Sequence, residues 1–514
     1  MWLFALAAEH AVPLLCGLAC LWLVRRLVVY ARLRRFGGPL WAGLSDWPHS
    51  LAMLRHRNHE WYAEVNEKYG PIARVAPRVL VTSSPDVWIH VNTKPGYKRS
   101  DWYYHACRLE HRRDNIFSQT DNRKHDVRRK QMAPGYSGRE NLELEHTIDQ
   151  RLAELLALIR THYLPATAQA ATQPMDLGEK VQFFTLDVIS SVGLGRSFGM
   201  LPRNADVDGH VRLSEQGLVA ANAALATGLS RLAHVPGIGR FVAPSPEDSG
   251  GYGRVMAACF RAVDERVGAK GPSAAAAAAH RHEDMLASFM RHGIEGHDLR
   301  SEALEQVVAG SDTTAGALRG ALLHIMSNAR VHAKLQREVD AEAAATGSDG
   351  IVEAARARQL PYLQAVVRES LRIWPPAVNI FARDVPAGGD TVVVDGRPVF
   401  LPAGVSIGYS ALAMHRSRDV YGPDAHVFRP ERWFEPDPDR LAAMVRTNEL
   451  VFGHARFRCL GRPVAMIEIS KTIFELMRNF EMALIHPTRP WKTRNCLGLF
   501  MISDMWVQVM DRVS

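Results

Sequence analysis

Cys459, near the end of this 514-residue chain, is the residue best placed to do chemistry. It lies in a loop-like stretch, 452–461, directly before residues 464–476, whose apolar side chains recur at helical spacing. A helix directs its free N–H groups and the positive end of its dipole toward such a position, which favours a thiolate. A thiolate can ligate haem iron and push electron density toward cleavage of an O–O bond. The alternative is a cysteine that only packs as a small hydrophobe.

Three residues near this cysteine are small. Gly453, Ala455 and Gly461 would let the backbone come close to a flat macrocycle, and Phe452 opens the stretch. The spacing of the six cysteines is wide and irregular, which matches neither a zinc site nor a disulfide framework and favours a reducing compartment. The other five cysteines are Cys16, Cys20, Cys107, Cys259 and Cys496.

A second chemical feature lies in a predicted helical region. Apolar residues recur at helical spacing from about 299 to 338, which predicts one or two long helices. The polar stretch 310–314 interrupts them with Gly, Ser, Asp, Thr and Thr, and such side chains can divert backbone carbonyls and open or bend a helix. Taken together with Cys459, this stretch predicts an oxygen-binding groove that contains Asp312 and Thr313.

Charged residues three apart form a third candidate. Glu369 and Arg372 lie on a predicted helix that Pro375 and Pro376 must end, so their side chains are neighbours. An exposed pair of this kind contributes little to stability.

Extended segments are predicted at 73–82 and 391–399, so sheet content is small beside the helices. Six consecutive alanines, 274–279, follow a Gly-Pro-Ser turn and predict a surface connection.

The N-terminus predicts a membrane anchor. Residues 2–24 are almost wholly apolar and, as a helix of about 1.5 Å per residue, would reach roughly 35 Å, enough to cross a bilayer core. Five arginines follow within residues 25–35, so the remainder of the chain is expected on the cytosolic side, and a cleaved signal peptide is disfavoured. We expect an anchor at 1–30, a basic Gly-Pro linker at 31–48 with a hinge at 37–39, and a catalytic domain at 49–514.

Composition excludes some classes of function. A formal charge of +8 could suggest a polyanionic partner, but the arginines are spread along the chain and no nucleic-acid-binding module is present.

A serine hydrolase is a remote alternative, because 404–408 reads Gly-Val-Ser-Ile-Gly, with Asp419 and His426 downstream of Ser406. That motif requires a strand before the serine and a helix after it, whereas here a turn precedes a β-branched run.

Four motifs in order resemble the cytochrome P450 haem-thiolate monooxygenases. They are Ala-Gly-Ser-Asp-Thr-Thr at 309–314, Glu-Ser-Leu-Arg at 369–372, Phe-Arg-Pro-Glu-Arg-Trp at 428–433 and the Cys459 loop. The resemblance runs from about Tyr69 onward, with the region between 137 and 300 matching only in general character. It implies a mainly α fold with a small β-sheet region. It also implies insertion of one atom of O2 into a small apolar or amphipathic molecule, while two electrons reduce the other atom to water.

The resemblance also implies roles for individual residues. The Cys459 thiolate would hold haem b, Asp312 and Thr313 would deliver protons, and a buried structural network would support the haem face nearest the cysteine. This network consists of Glu369, Arg372 and Arg432. Candidates that hold the haem or its propionates are His125, Arg129, Arg383, Phe452, Arg456 and Gly461. Members of the family usually have an arginine two residues before the cysteine, but this chain has Phe457 there. The role of the propionate-binding cation is therefore assigned to the neighbouring Arg456.

Electrons are expected from another protein, because Gly193-Leu194-Gly195 lacks the third glycine of a dinucleotide fingerprint. The resemblance implies NADPH-cytochrome P450 reductase as the electron donor, with cytochrome b5 as a candidate second donor, at the endoplasmic reticulum membrane. The reductase is expected to dock beside Arg456, Arg458 and Arg462. The stretch 132–138 is similar to fungal members of the pisatin demethylase type, which suggests secondary metabolism. A haem-thiolate isomerase or dehydratase, or a non-catalytic haem sensor, remains an alternative that the Asp312-Thr313 pair disfavours.

Overall fold

The computed structural model describes residues 2–165, 173–235, 237–268, 284–347 and 350–512. Helices dominate these residues and the sheets are small, which confirms the predicted fold class. The polyalanine segment 274–279, predicted as a surface connection, lies outside the described residues.

The α-helices range in length from four to 31 residues. They span Trp2–Arg32, Leu40–Leu44, Trp47–Leu54, Asn58–Tyr69, Pro85–Thr93, Asp101–Ala106, Asn122–Tyr136, Leu144–His162, Leu177–Leu194, Met200–Arg203, His210–Thr227, Gly239–Val242, Gly251–Val267, Met285–Arg291, Gly296–Met326, Ala329–Thr346, Ala354–Ala357, Pro361–Ile373, Ala411–His415, Arg418–Tyr421, Pro438–Glu449 and Arg462–Asn479. Short 3-10 turns span Val207–Gly209, Leu229–His234, Pro430–Phe434, Leu450–Phe452 and Ala455–Phe457.

The strands are all short. They span Ile72–Ala76, Val79–Thr82, Lys98–Arg99, Met175–Asp176, Arg383–Asp384, Asp390–Val394, Arg397–Leu401, Ser406–Tyr409, Phe480–Leu484, Lys492–Cys496, Leu499–Ser503 and Trp506–Asp511. Both regions predicted as extended are strands, each broken by a tight turn into an antiparallel pair, at 72–82 and at 390–401.

The chain divides into two compact units, one formed by Met1–Lys98 with Ile380–Met414 and the other by Arg99–Asn379 with His415–Ser514. In the first unit, Val79–Thr82 pairs parallel to Ser406–Tyr409, which pairs antiparallel to Arg383–Asp384. In the second unit, Trp506–Asp511 pairs antiparallel with both Met175–Asp176 and Phe480–Leu484. The predicted division into an anchor, a linker and a catalytic domain stays a prediction.

Within the stretch predicted as a linker, Gly37, Gly38 and Gly43 pack against Arg74 of the first unit. The N–H of Arg74 donates to the Gly37 carbonyl at 2.7 Å, and a Cβ on Gly38 would lie 2.3 Å from the Arg74 carbonyl oxygen. The buried Arg74 guanidinium also donates to the carbonyls of Gly43 and Pro77. The predicted hinge at 37–39 is therefore a place of close backbone packing, for which glycine is required.

The apolar N-terminal helix has the length of a membrane span. Within it, Pro13–Arg32 has a mean hydropathy of 1.8, and none of that segment is buried. Its exposed side chains include Leu14, Leu18 and Trp22. Apolar surface of this length, left uncovered by the rest of the chain, is consistent with a single membrane-spanning helix.

Two long helices form the centre of the second unit. Leu177–Leu194 is buried along nearly its whole length, and it packs along Gly296–Met326. The helix Gly296–Met326 continues through the polar stretch 310–314. Thr313 donates its hydroxyl to the Ala309 carbonyl at 2.7 Å, within the same helix. The prediction of one or two long helices over 299–338 is confirmed, because one helix ends at Met326 and a second begins at Ala329.

Candidate functional site

The Cys459 loop is a compact turn closed by its own backbone. The N–H of Cys459 donates to the Phe452 carbonyl at 2.7 Å, across the two 3-10 turns Leu450–Phe452 and Ala455–Phe457. Gly453 has a φ of 73°, and a Cβ there would lie 2.7 Å from the Phe457 carbonyl oxygen. Ala455 also has a positive φ, 48°, which L-residues other than glycine adopt at a cost of about 1 kcal/mol. The tight closure fixes where the cysteine points.

The Cys459 thiol is exposed at the start of the helix Arg462–Asn479. Desolvation by the surrounding protein raises its pKa, while the N–H groups of Gly461 and Arg462 and the positive charge of Arg129 lower it. The sulfur is open to the surface on one side, but the protein packed behind it desolvates a thiolate more than the helix terminus stabilises one, a balance that the sequence argument did not include. A metal ion at the sulfur would reverse the balance, because a coordinating thiol is deprotonated.

The donors around this sulfur fit a haem iron better than a protein-caged metal. Among the described residues, no three His, Cys, Asp or Glu side chains come together as a metal site. A metal bound through Cys459 would therefore need its other ligands from a macrocycle. Two N–H groups aimed at the sulfur, exposure of the thiol and small neighbouring residues meet the requirements for haem bound through a thiolate.

Two of the predicted propionate contacts lie on the helix Asn122–Tyr136, next to the cysteine loop. Arg129 donates to the Arg458 carbonyl at 2.6 Å, and its charge acts on the Cys459 sulfur. The His125 ring is buried 5.1 Å from the ring of Phe457. Desolvation, followed by the charge of Arg99, lowers the pKa of His125 to about 4. His125 is therefore a neutral hydrogen-bonding group at neutral pH.

Three of the other predicted haem contacts lie in surroundings that differ from one another. Arg456 is 39% exposed and pairs with Asp126 at 3.0 Å. The ring of Phe452 lies under the guanidinium of Arg462, 5.6 Å from it. Arg383 belongs to the first unit, where it is buried, donates to the Asn92 side chain and lies over the Trp88 ring.

Arg99 is a buried cation beside the cysteine loop that the sequence reasoning missed. Its guanidinium lies 4.8 Å from the ring centre of Phe457 and 4.8 Å from that of Tyr103, and it donates to the Ile116 carbonyl. It is 4% exposed. Phe457 stands where the resemblance expects an arginine, so Arg99 brings a positive charge to that side of the loop. Its short charged run, Lys98-Arg99-Ser100-Asp101, gave no sign of burial.

The carboxylate of Glu369 is the centre of a buried polar network. Arg372 donates to both of its oxygens, at 2.9 and 2.7 Å, Arg432 donates at 3.0 Å and the indole of Trp433 at 3.1 Å. The side chains of Glu369, Arg372 and Arg432 are at most 1% exposed. Arg372 also donates to carbonyls in the segment 415–427. The network thus joins the helix Pro361–Ile373 to the segment 415–433.

Asp312 and Thr313 are neighbours in sequence but point to different surroundings. Asp312 accepts a hydrogen bond from the Gln182 side chain at 2.7 Å, whereas Thr313 bonds only to the Ala309 carbonyl in the described part of the chain. Burial raises the pKa of Asp312, and Gln182 and Arg319 partly oppose this. The two side chains do not contact each other directly, so proton transfer between them would require water.

The serine hydrolase alternative is wrong. Ser406 is the first residue of the strand Ser406–Tyr409, whereas a nucleophile elbow lies in the turn between a strand and a helix. Its hydroxyl donates to the Asp384 carboxylate at 2.7 Å, and among the described residues no histidine forms a hydrogen bond with it.

Comparison with known proteins points to one family. The family described as Cytochrome P450 matches residues 47–504. The chain is 36% identical to Cytochrome P450 monooxygenase ABA1 of Pyricularia oryzae over 519 residues, which covers 98% of each protein. It is 32% identical to Cytochrome P450 monooxygenase aba1 of Botryotinia fuckeliana, which covers 87% of this chain and 86% of that protein. It is 29% identical to Cytochrome P450 monooxygenase abl1 of Leptosphaeria maculans, over 91% and 82% of the two chains.

Proposed function

This chain belongs to the cytochrome P450 monooxygenase family, and we propose that it oxidises a small apolar or amphipathic molecule in fungal secondary metabolism. The observation that supports this most is the Cys459 loop, whose sulfur is exposed and faced by two backbone N–H groups. Haem b bound through Cys459 would supply activation of O2 and insertion of one of its atoms into the substrate. The remaining steps depend on what the chain's own residues hold, orient and protonate.

The proposed protein contribution begins with charge around the haem. Arg129 and Arg99 would neutralise the propionates, with His125 as a neutral donor beside them. The Glu369 network would hold the segment that supports the cysteine loop. Because Arg99 is buried and Arg129 is partly buried, their charges are screened by solvent less than those of fully exposed side chains.

Proton delivery would depend on the middle of the helix Gly296–Met326. Thr313 has a partly exposed hydroxyl that could exchange its bond to the Ala309 carbonyl for one to an ordered water. Asp312, whose pKa is raised by burial, can act as an acid nearer neutral pH than an ordinary aspartate. A haem-thiolate isomerase or dehydratase does not need such a relay, so this pair favours a monooxygenase.

The electron donor in this proposal is NADPH-cytochrome P450 reductase, with cytochrome b5 as a candidate second donor. Three partly exposed arginines lie in or next to the cysteine loop: Arg456, Arg458 and Arg462. Only two carboxylates pair with them, Asp126 with Arg456 and Glu449 with both Arg458 and Arg462. The surplus of positive charge suits an acidic redox partner. The helix Trp2–Arg32 would anchor the chain once across the endoplasmic reticulum membrane, with the remaining residues in the cytosol.

The proposal is tested by expressing the full chain with its reductase in a host that lacks related enzymes. We expect NADPH-dependent consumption of O2 and a new product carrying one oxygen atom from 18O2. A product whose formation requires neither NADPH nor O2 would favour an isomerase or dehydratase. Comparison of metabolites with and without the protein would identify the substrate.

Replacing Arg99 with alanine should accelerate haem loss more than replacing Arg456. Arg99 is buried against the cysteine loop, whereas Arg456 lies in an exposed ion pair. We expect transfer of haem to an acceptor protein to be faster by about tenfold or more for Arg99→Ala and by less than about threefold for Arg456→Ala. A larger effect of Arg456→Ala would assign the propionate contact to that residue instead.

Replacing Thr313 with alanine should keep haem but uncouple the reaction. Since positioned proton transfer contributes about 100-fold or more, product formed per NADPH should fall by at least about tenfold, with hydrogen peroxide released in its place. Thr313→Ser retains the hydroxyl and serves as the matched control, and the buried neighbour Thr314→Ala tests for a packing effect. Fully coupled turnover of Thr313→Ala would contradict the proposed role.

A further inference from the structure

The Asp312 carboxylate is held by a neutral group, although a buried arginine lies on the same helix face. Gln182, 5% exposed on the helix Leu177–Leu194, donates to it at 2.7 Å. Arg319, seven residues after Asp312, donates its Nε and Nη2 to the Gly178 carbonyl at 2.9 and 2.5 Å. Among the described residues, no ion pair joins Arg319 to Asp312 and Gln182 is the only donor to this carboxylate.

Polar groups from three neighbouring helices and from its own helix interact with Asp312. Gln182 of Leu177–Leu194 donates a hydrogen bond to it, and Arg319 of its own helix acts on it through its charge. The charge of Asp312 in turn acts on Glu215 of His210–Thr227 and on Tyr252 of Gly251–Val267. Burial is the largest cause of the raised pKa of Asp312, and the Gln182 hydrogen bond and the Arg319 charge act in the opposite direction. Burial and the charge of Asp312 also raise the pKa of Glu215. The surroundings therefore disfavour a permanently ionised Asp312.

Resting on the proposed function, we infer that Gln182 is a positioning residue for proton delivery, holding the Asp312 carboxyl in place while leaving it free to release and regain a proton. An arginine or lysine in its position would form a charge-assisted bond, roughly twice as strong, and would hold the carboxylate as an anion. An apolar residue would leave the carboxyl without a fixed orientation. A neutral amide does neither.

The proton balance of this step is simple. Asp312 releases its proton through water toward the side of the helix that carries Thr313 and becomes a carboxylate. Gln182 keeps its N–H bond to that carboxylate, which limits the cost of a buried negative charge. A proton from solvent then restores the acid. The amide itself neither gains nor loses a proton, so Gln182 acts only through Asp312.

The test is the titration of Asp312 in the full-length haem-loaded protein, followed by infrared spectroscopy. The Asp312 carboxyl band is identified by its absence in Asp312→Asn. In the wild type we expect its midpoint above the ordinary range of aspartate. In Gln182→Met, which is similar in volume but has no donor, we expect a further rise of about one pH unit, since a hydrogen bond to a charged group is lost. The pH above which coupled turnover declines should rise equally.

Two controls separate positioning from packing. Gln306→Met changes another buried glutamine, on the same helix as Asp312 but hydrogen-bonded to Met285 instead, and should leave the Asp312 midpoint unchanged. Gln182→Met should add nothing to the peroxide release of Asp312→Asn, because the two residues act as a unit. Gln182→Glu offers a second variant of the same shape, in which a neighbouring carboxyl should raise the Asp312 midpoint further still.

Either of two results would overturn the inference. One is a wild-type Asp312 that stays ionised down to the ordinary range of aspartate, a measurement that needs no variant at Gln182. The other is an unchanged midpoint and unchanged peroxide release in Gln182→Met while Asp312→Asn is uncoupled. In both cases the monooxygenase would still turn over with its reductase. Failure of the proposed function is a different observation, namely a wild type with no such turnover.

Discussion

We expect the Cys459→Ser variant to lose the red-shifted Soret band of the ferrous carbon monoxide complex completely, together with all turnover. A serine hydroxyl is not ionised at neutral pH and cannot push electron density onto iron as a thiolate does. The backbone N–H groups of Gly461 and Arg462 would remain in place, so the pocket itself should persist. Reduced-minus-oxidised carbon monoxide spectra of the purified full-length chain make the comparison.

The matched control is Cys107→Ser. Cys107 is also a free thiol of the second unit, yet it lies on the segment after the helix Asp101–Ala106, away from the cysteine loop in sequence. This variant should keep the band. A full red-shifted band in Cys459→Ser, or its loss in Cys107→Ser alone, would refute the assignment of the axial ligand.

The second large effect is expected from Arg372→Ala. The substitution would leave the Glu369 carboxylate, which is not exposed at all, facing a gap and only partly compensated by Arg432. Breaking a buried charge network by removing one partner costs about 3–5 kcal/mol, a large fraction of the stability of a domain. We expect a chain that is recovered in low yield without haem, with a strongly reduced midpoint in chemical unfolding.

Two further variants make this prediction specific. Arg372→Lys keeps the charge but cannot donate to both Glu369 oxygens and to three carbonyls, so its stability should lie between those of Arg372→Ala and the wild type. Arg57→Ala breaks the exposed pair with Glu60 and should change stability little. An equal loss of stability in Arg372→Ala and Arg57→Ala would show that the buried network stabilises the fold no more than an exposed ion pair does.

The fold class could be predicted because helical spacing and motif order are properties of the chain itself. Apolar residues at 299–338 predict long helices, and the structure has Gly296–Met326 and Ala329–Thr346 there. The continuity of the helix through 310–314 could not be judged from local preference, because it also depends on tertiary packing against Leu177–Leu194. The close approach of Gly37 and Gly38 to Arg74 could not be predicted for a similar reason, since glycines indicate either freedom or close approach.

The site was less accessible to sequence reasoning, because its cations come from distant segments. Arg99 lies 360 positions before Cys459 in the chain, and only the fold shows that its guanidinium lies over the ring of Phe457. Gln182 gave no chemical signal, since a single glutamine in an apolar helix carries no motif. The direction of the pKa shift of Cys459 could not be inferred either, because desolvation by the surrounding protein opposes the helix terminus and only the fold shows which atoms surround the sulfur. Motifs indicate which residues act, whereas their electrostatics depend on the fold.

The claim on which the rest depends is that the sulfur of Cys459 is the protein ligand of a haem iron. The most direct test is the absorption spectrum of the wild-type ferrous carbon monoxide complex, recorded on full-length protein made with ample haem supply. We expect the strongly red-shifted Soret band of a thiolate ligand. A colourless protein, or a band in the position of imidazole-ligated haem, would contradict it.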